Sequence, residues 1–73
     1  MNTFQLTCFL TLSETLNFAK TAEQLSVTQP AVTHQIQSLE AELGVRLFTR
    51  STRSVALTHE GLSFIGDART ILE

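Results

Sequence analysis

A mainly α-helical fold is predicted: three helices, a short two-stranded hairpin and a further helix. Three observations carry the prediction. Apolar residues recur at helical spacing in four stretches of the chain. Residues able to cap a helix, Asn17, Thr28 and Thr58, stand just before three of them, and Gly44 stands just after one. Between the third and fourth stretches, two short β-type runs flank Ser51-Thr52-Arg53-Ser54.

The first helix is expected over 3–15. Leu6, Phe9, Leu10 and Leu16 share one arc, while Phe4 and Cys8 form an i,i+4 pair facing away from that stripe. A second apolar face needs another partner. Asn17 can accept from the free N–H groups of the next helix, expected over 18–25 with Phe18, Ala22 and Leu25 on one face. Ser26-Val27-Thr28 is a break. Thr28 caps the third helix, 29–43, and Pro30 falls in its first turn, where a missing N–H costs nothing. Its inner stripe is Val32, Ile36, Leu39 and Leu43, and Gly44 suits the left-handed residue that ends it. Strands are expected at 46–49 and 55–57, with 51–54 as the hairpin tip. Thr58 caps the last helix, and Glu60 in its first turn complements the helix dipole. Leu62, Ile65 and Leu72 line one side of that helix; Phe64, Ala68 and Ile71 line another. The pattern is still helical at Glu73, as expected of a segment cut from a longer protein.

The chain has 73 residues, one small domain at most. Hydrophobic residues make up 42%, which is a globular composition. Cys8 is the single cysteine, so there is neither an internal disulfide nor a zinc or redox motif. With no charged-then-apolar leader and no membrane-length apolar run, a cytoplasmic protein without a membrane partner is expected. The formal net charge of −2 argues at face value against nucleic acid. Distribution matters more than the sum. Arg46, Arg50 and Arg53 cluster, while Glu23, Glu40, Glu42 and Glu60 sit elsewhere in the sequence. Taken alone, three neighbouring arginines also fit a solvated turn.

The second and third helices carry the features of a helix-turn-helix over about 18–37. Ala22 is small where the helices must approach, Val27 can plug the turn, and Val32 and Ile36 anchor the third helix. Ser26 stands where such turns often have glycine. The outward face of the third helix bears Gln29, Pro30, Thr33, His34, Gln37 and Ser38. Neutral side chains that donate and accept suit base edges in the major groove; a merely solvated face more usually carries Lys and Glu. The first turn of that helix offers N–H groups to a phosphate, and the Arg50–Arg53 hairpin follows as a basic wing.

Phe9, Leu16-Asn17-Phe18, the stretch TAEQLSVTQPAVTHQIQSLEAELGVRLFTR and the motif LTHEG together resemble the N-terminal domain of LysR-type transcriptional regulators over essentially the whole chain. The resemblance implies a winged helix-turn-helix over 1–58 and the start of a linker and dimerisation helix over 59–73. It implies base contacts by Gln29, Pro30, Thr33, His34 and Gln37, and backbone contacts by Phe18, Thr28, Arg50, Arg53 and Thr58. It also implies binding to double-stranded operator DNA as a homodimer, with tetramers in the full-length family. No cofactor is implied in this domain; a small-molecule effector belongs to a C-terminal domain absent from this sequence. His34 and Gln37 depart from a family that often has Arg at both places, and Lys20 stands where Arg is usual. Fewer fixed charges imply a shallower salt dependence.

Sequence-specific DNA binding is therefore the expected function. A protein-interaction module that kept the fold and lost DNA affinity is the alternative, motivated by the acidic total. An enzyme is not expected, since His34 and His59 have no nucleophile or metal cluster beside them in sequence. Packing is the expected role of Cys8. The dimer interface is expected on the last helix and the flank of the first: Phe4, Cys8, Leu62, Phe64, Ile65, Ala68, Ile71 and Leu72.

Overall fold

Each helix begins at a side chain that closes its own first turn. In the computed structural model, which describes residues 1–73, the elements run α1 (Thr3–Thr15), α2 (Phe18–Leu25), α3 (Gln29–Leu43), β1 (Phe48–Arg50), β2 (Val55–Leu57) and α4 (His59–Leu72). The Asn2 side chain accepts from the Gln5 N–H at 2.8 Å, and the Gln5 side chain accepts from the Asn2 N–H at 3.2 Å. This reciprocal capping box was not anticipated. Asn17 accepts from Lys20 N at 2.9 Å, Thr28 from Ala31 N at 3.2 Å and Thr58 from Gly61 N at 2.9 Å. Gly44 ends α3 with φ 71°. The expected bounds of the first three helices are the observed ones.

The two tight connections before α2 and α3 have no glycine. Leu16 (φ 52°) and Ser26 (φ 58°) take the left-handed conformation themselves, which costs an L-residue about 1–2 kcal/mol. Leu16 therefore caps α1 and stands 40% exposed instead of joining the core arc. At Ser26 the geometry is held by Val27, whose N–H donates to Ala22 O at 2.9 Å.

The hairpin is antiparallel, with Phe48 opposite Leu57, Thr49 opposite Ala56 and Arg50 opposite Val55. Its first strand starts two residues later than expected. Leu47 stops short of it because its N–H donates to the Glu40 carboxylate; its C=O still accepts from Thr58 N, the hydrogen bond that closes the ladder beside the Phe48–Leu57 pair. At the tip, Ser51 N donates to Ser54 O at 2.9 Å, and Ser51 Oγ accepts from Arg53 N and Ser54 N.

The core gathers around Phe9, whose ring lies 5.6 Å from Phe48 and 5.3 Å from Phe64. Leu6, Cys8, Leu12, Val32, Ile36, Leu39, Leu47 and Ala68 complete its interior with Ala22. Helix α1 touches α2, α3 and α4, so its wide apolar girth is covered within the chain except at Phe4, which stays exposed. That corrects two expectations. Cys8, placed on an outward flank, is fully buried; Leu12, overlooked, shifts the inner arc toward it. Burial pushes the Cys8 thiol up from its ordinary range. Ala68 and Phe64, both placed in the dimer interface, turn inward: Ala68 is fully buried, and Phe64 packs against Phe9. Inner and outer sides of α4 therefore divide differently from the expectation: Gly61, Phe64, Ile65, Ala68 and Leu72 turn inward, while Leu62 and Ile71 stay exposed. No helix is long and apolar enough to cross a membrane.

Candidate nucleic-acid interface

Helix α3 is split cleanly between core and surface. Val32, Ile36 and Leu39 are fully buried. On the opposite side Gln29, Pro30, His34 and Gln37 are exposed and Thr33 is half-buried. These five side chains together line one shallow, open depression. It contains no carboxylate and no fixed positive charge, so it offers hydrogen-bond donors and acceptors, with His34 able to do either.

A second concavity joins the start of α2 to the hairpin. Asn17, Phe18, Ala19 and Gln29 line it with Ser51, Thr52, Arg53 and Ser54. The Arg50 guanidinium carbon sits 4.6 Å from the Phe18 ring centroid, a cation–π contact that restrains the arginine. Phe18, Gln29, Arg50 and Arg53, 35 positions apart in sequence at the extremes, thus meet on one side of the molecule. Neither Arg50 nor Arg53 makes an ion pair, and their charges face solvent.

Backbone donors are arranged differently from the expectation. At the start of α3, Pro30 has no N–H, Ala31 N is held by the Thr28 hydroxyl and Val32 N by Thr28 O. That leaves Gln29 N alone for a phosphate. The start of α2 offers Phe18 N and Ala19 N, since Asn17 engages only Lys20 N and Thr21 N. The Thr28 hydroxyl accepts a bond but keeps its own hydrogen to donate. Thr58 has no donor left: its hydroxyl donates to Arg46 O at 2.6 Å and its N–H to Leu47 O at 3.0 Å. Both of its hydrogens are thus spent within the chain, and its hydroxyl oxygen caps α4.

Glu40 escaped the sequence reading. Counted with the acidic residues remote from the arginines, it lies 3.8 Å from Arg46 Nε and is 8% exposed. A signal was present: at helical spacing Glu40, four residues after Ile36, falls at the edge of the arc of Ile36, Leu39 and Leu43. No group of three or more His, Cys, Asp or Glu side chains could hold a metal ion.

Residues 4–62 match the family described as bacterial regulatory helix-turn-helix protein, lysR family. The HTH-type transcriptional regulator TcbR of Pseudomonas sp. (strain P51) is 49% identical over 69 residues, covering 94% of this chain. Those residues are 24% of TcbR, so the chain spans about a quarter of the length of the curated relatives it matches. The DNA complex of the CbnR DNA-binding domain superposes with a TM-score of 0.94 at 47% identity, covering 99% of this chain and 83% of that one. The BenM DNA-binding domain, solved with catB site 1 DNA, gives 0.91 at 39% identity, covering 99% and 81%. The winged helix-turn-helix, the polar outer face of α3 and a family match over most of the chain agree: this chain belongs to the LysR family of regulatory helix-turn-helix proteins.

Proposed function

We propose that this chain is the DNA-binding part of a transcription regulator that grips operator DNA as a homodimer. Helix α3 enters the major groove, with Gln29, Pro30, Thr33, His34 and Gln37 at the base edges. Phe18, Thr28, Arg50 and Arg53 face the backbone or the adjacent minor groove. One observation carries the reading: an uncharged, hydrogen-bonding face on α3 is flanked by two arginines that have no acidic partner. Base edges need the first and phosphates need the second. The DNA complexes of the CbnR and BenM domains, similar over nearly the whole chain, support it. The relatives are regulators, a family that is not enzymatic.

Dimerisation would draw on those of the expected interface residues that keep exposed surface: Phe4 on α1, and Leu62 and Ile71 on opposite flanks of α4, with Ile65 and Leu72 half-buried between them. Cys8 and Ala68 have no surface to offer, and Phe64 is engaged with Phe9. A two-fold pair would set two recognition helices about 34 Å apart, or a multiple of that. It would also double the basic surface, which offsets the acidic total. In the longer protein, tetramers and a small-molecule effector site would lie in segments beyond this domain.

The test is a pair of substitutions. Gln29→Ala should weaken operator binding by roughly 1–3 kcal/mol and relax one position of the site. Arg53→Ala should weaken all duplexes alike and lower the salt slope by about 1. Equal losses on operator and scrambled DNA for Gln29→Ala would make it a backbone contact. An unchanged slope for Arg53→Ala would remove the wing from the interface.

A further inference from the structure

We propose that Glu40 is a positioning residue: its buried carboxylate holds the root of the wing, and thereby Arg50 and Arg53, at a fixed place beside the outer face of α3. The inference rests on the DNA-binding reading above.

Glu40 Oε2 accepts from two successive backbone N–H groups, Leu47 at 2.7 Å and Phe48 at 3.3 Å. Both of those residues are fully buried, and Phe48 opens β1, the strand that ends at Arg50. Hydrogen bonds from backbone amides to a carboxylate are about twice as strong as neutral ones. Without the carboxylate, two buried N–H groups would be left unpartnered. Nearby Arg46 is too exposed to be the main partner: its side chain is 70% exposed and its Nε is 3.8 Å away. The other side of the same segment is held by α4. Thr58 binds Arg46 O and Leu47 O, and a Cβ at Gly61 would meet Leu47 O. The wing root is therefore clamped between the end of the recognition helix and the start of α4. With the root fixed, the Phe18–Arg50 contact can form at the other end of β1.

Charge and geometry make opposite predictions here, and that separates them. DNA is a polyanion, so removing a carboxylate should strengthen binding if Glu40 acts only through its charge. If Glu40 positions the wing, removal should weaken it. Glu40→Gln and Glu40→Ala remove the same charge, but only Gln keeps an oxygen for Leu47 N and Phe48 N. Each would be titrated with a random-sequence 25-base-pair duplex across a salt series, at a temperature where circular dichroism shows it folded. Each would also be made in the background of Arg50→Ala with Arg53→Ala.

Glu40→Ala should weaken binding by about three-fold or more and flatten the salt slope although no arginine has been removed. Glu40→Gln should recover part of the loss, and neither should matter once the arginines are gone. Equal or tighter binding by Glu40→Ala overturns the proposal. So does the same loss in both backgrounds, which is the mark of general damage to the fold. Should Glu40→Ala not fold, Glu40→Asp, whose carboxylate is one methylene short, is read in the same way. A parent protein that does not bind the duplex at all would sink the DNA-binding reading itself; binding with an additive loss sinks only the role of Glu40.

Discussion

Helices α3 and α4 are nearly equal in length, 15 and 14 residues, yet they meet the core in different ways. The inner stripe of α3 is fully buried at Val32, Ile36 and Leu39, so no large apolar side chain stands exposed on its outer face. Helix α4 buries only Gly61 and Ala68, half-buries Phe64, Ile65 and Leu72, and leaves Leu62 62% and Ile71 56% exposed. At 100° per residue, Leu62 and Ile71 lie on opposite flanks of α4. They form no continuous stripe. The difference teaches where to look for each function. A helix whose apolar residues are all accounted for can dedicate its other face to a ligand. A helix with apolar residues outside its buried face presents surface that awaits packing.

The largest effects should come from breaking the inner side of α4. Phe64→Glu places a charge against Phe9 and should cost more than about 4 kcal/mol. Ile71→Glu, on the exposed flank, should change stability of the monomer by no more than about 0.5 kcal/mol. Urea denaturation at low protein concentration measures both. Comparable losses would mean that α4 does not divide into these two sides.

Two glycines of the same helix should differ next. A Cβ at Gly61 would lie too close to the Leu47 carbonyl and near the Leu57 side chain, whereas one at Gly66 meets nothing. Gly61→Ala should destabilise by about 1–3 kcal/mol. Gly66→Ala should stabilise by about 0.5–1 kcal/mol through the backbone entropy of the unfolded chain. Thermal melts of the two proteins should move in opposite directions; shifts of the same sign would contradict the close approach at Gly61.

The smallest effect concerns α1, which packs against both helices. Burial holds the Cys8 thiol protonated to higher pH in the folded chain than in the unfolded one. The unfolded chain therefore releases its proton first as pH rises past the ordinary thiol range. The associated stability is fully present below that range and is lost as pH climbs toward the folded value. Cys8→Ala should lose less stability between pH 8 and pH 9.5 than the parent does. Parallel curves would show that the thiol contributes no alkaline sensitivity.

Local chemistry was legible because it acts over three or four residues. Asn17 and Thr28 could be recognised as caps since each bonds an N–H three positions on, and Gly44 as a stop since only its own φ was at issue. The outward polar face of α3 followed from helical period alone. Leu16 and Ser26 were harder, because left-handed residues other than glycine carry no marker. The wing root was out of reach: the ladder stops at Phe48 because the Leu47 N–H goes to Glu40, seven residues earlier, a pairing that no local pattern announces.

What the sequence determined by itself, then, was where helices start and stop and which side of α3 is polar, because hydrogen bonds within one turn and a fixed 3.6-residue period decide those. Only the tertiary structure decided which apolar flank of α1 and α4 is inside. Both helices have more apolar girth than one partner can cover, so the neighbours, not the period, choose the buried arc. Cys8 and Ala68 lie inward because α1 packs against the other three helices and the Phe9 ring lies between Phe48 and Phe64. Likewise, Glu40 became a tether for the wing only when folding carried Leu47 and Phe48 to its carboxylate; buried N–H groups demand a partner, and that was the one within reach.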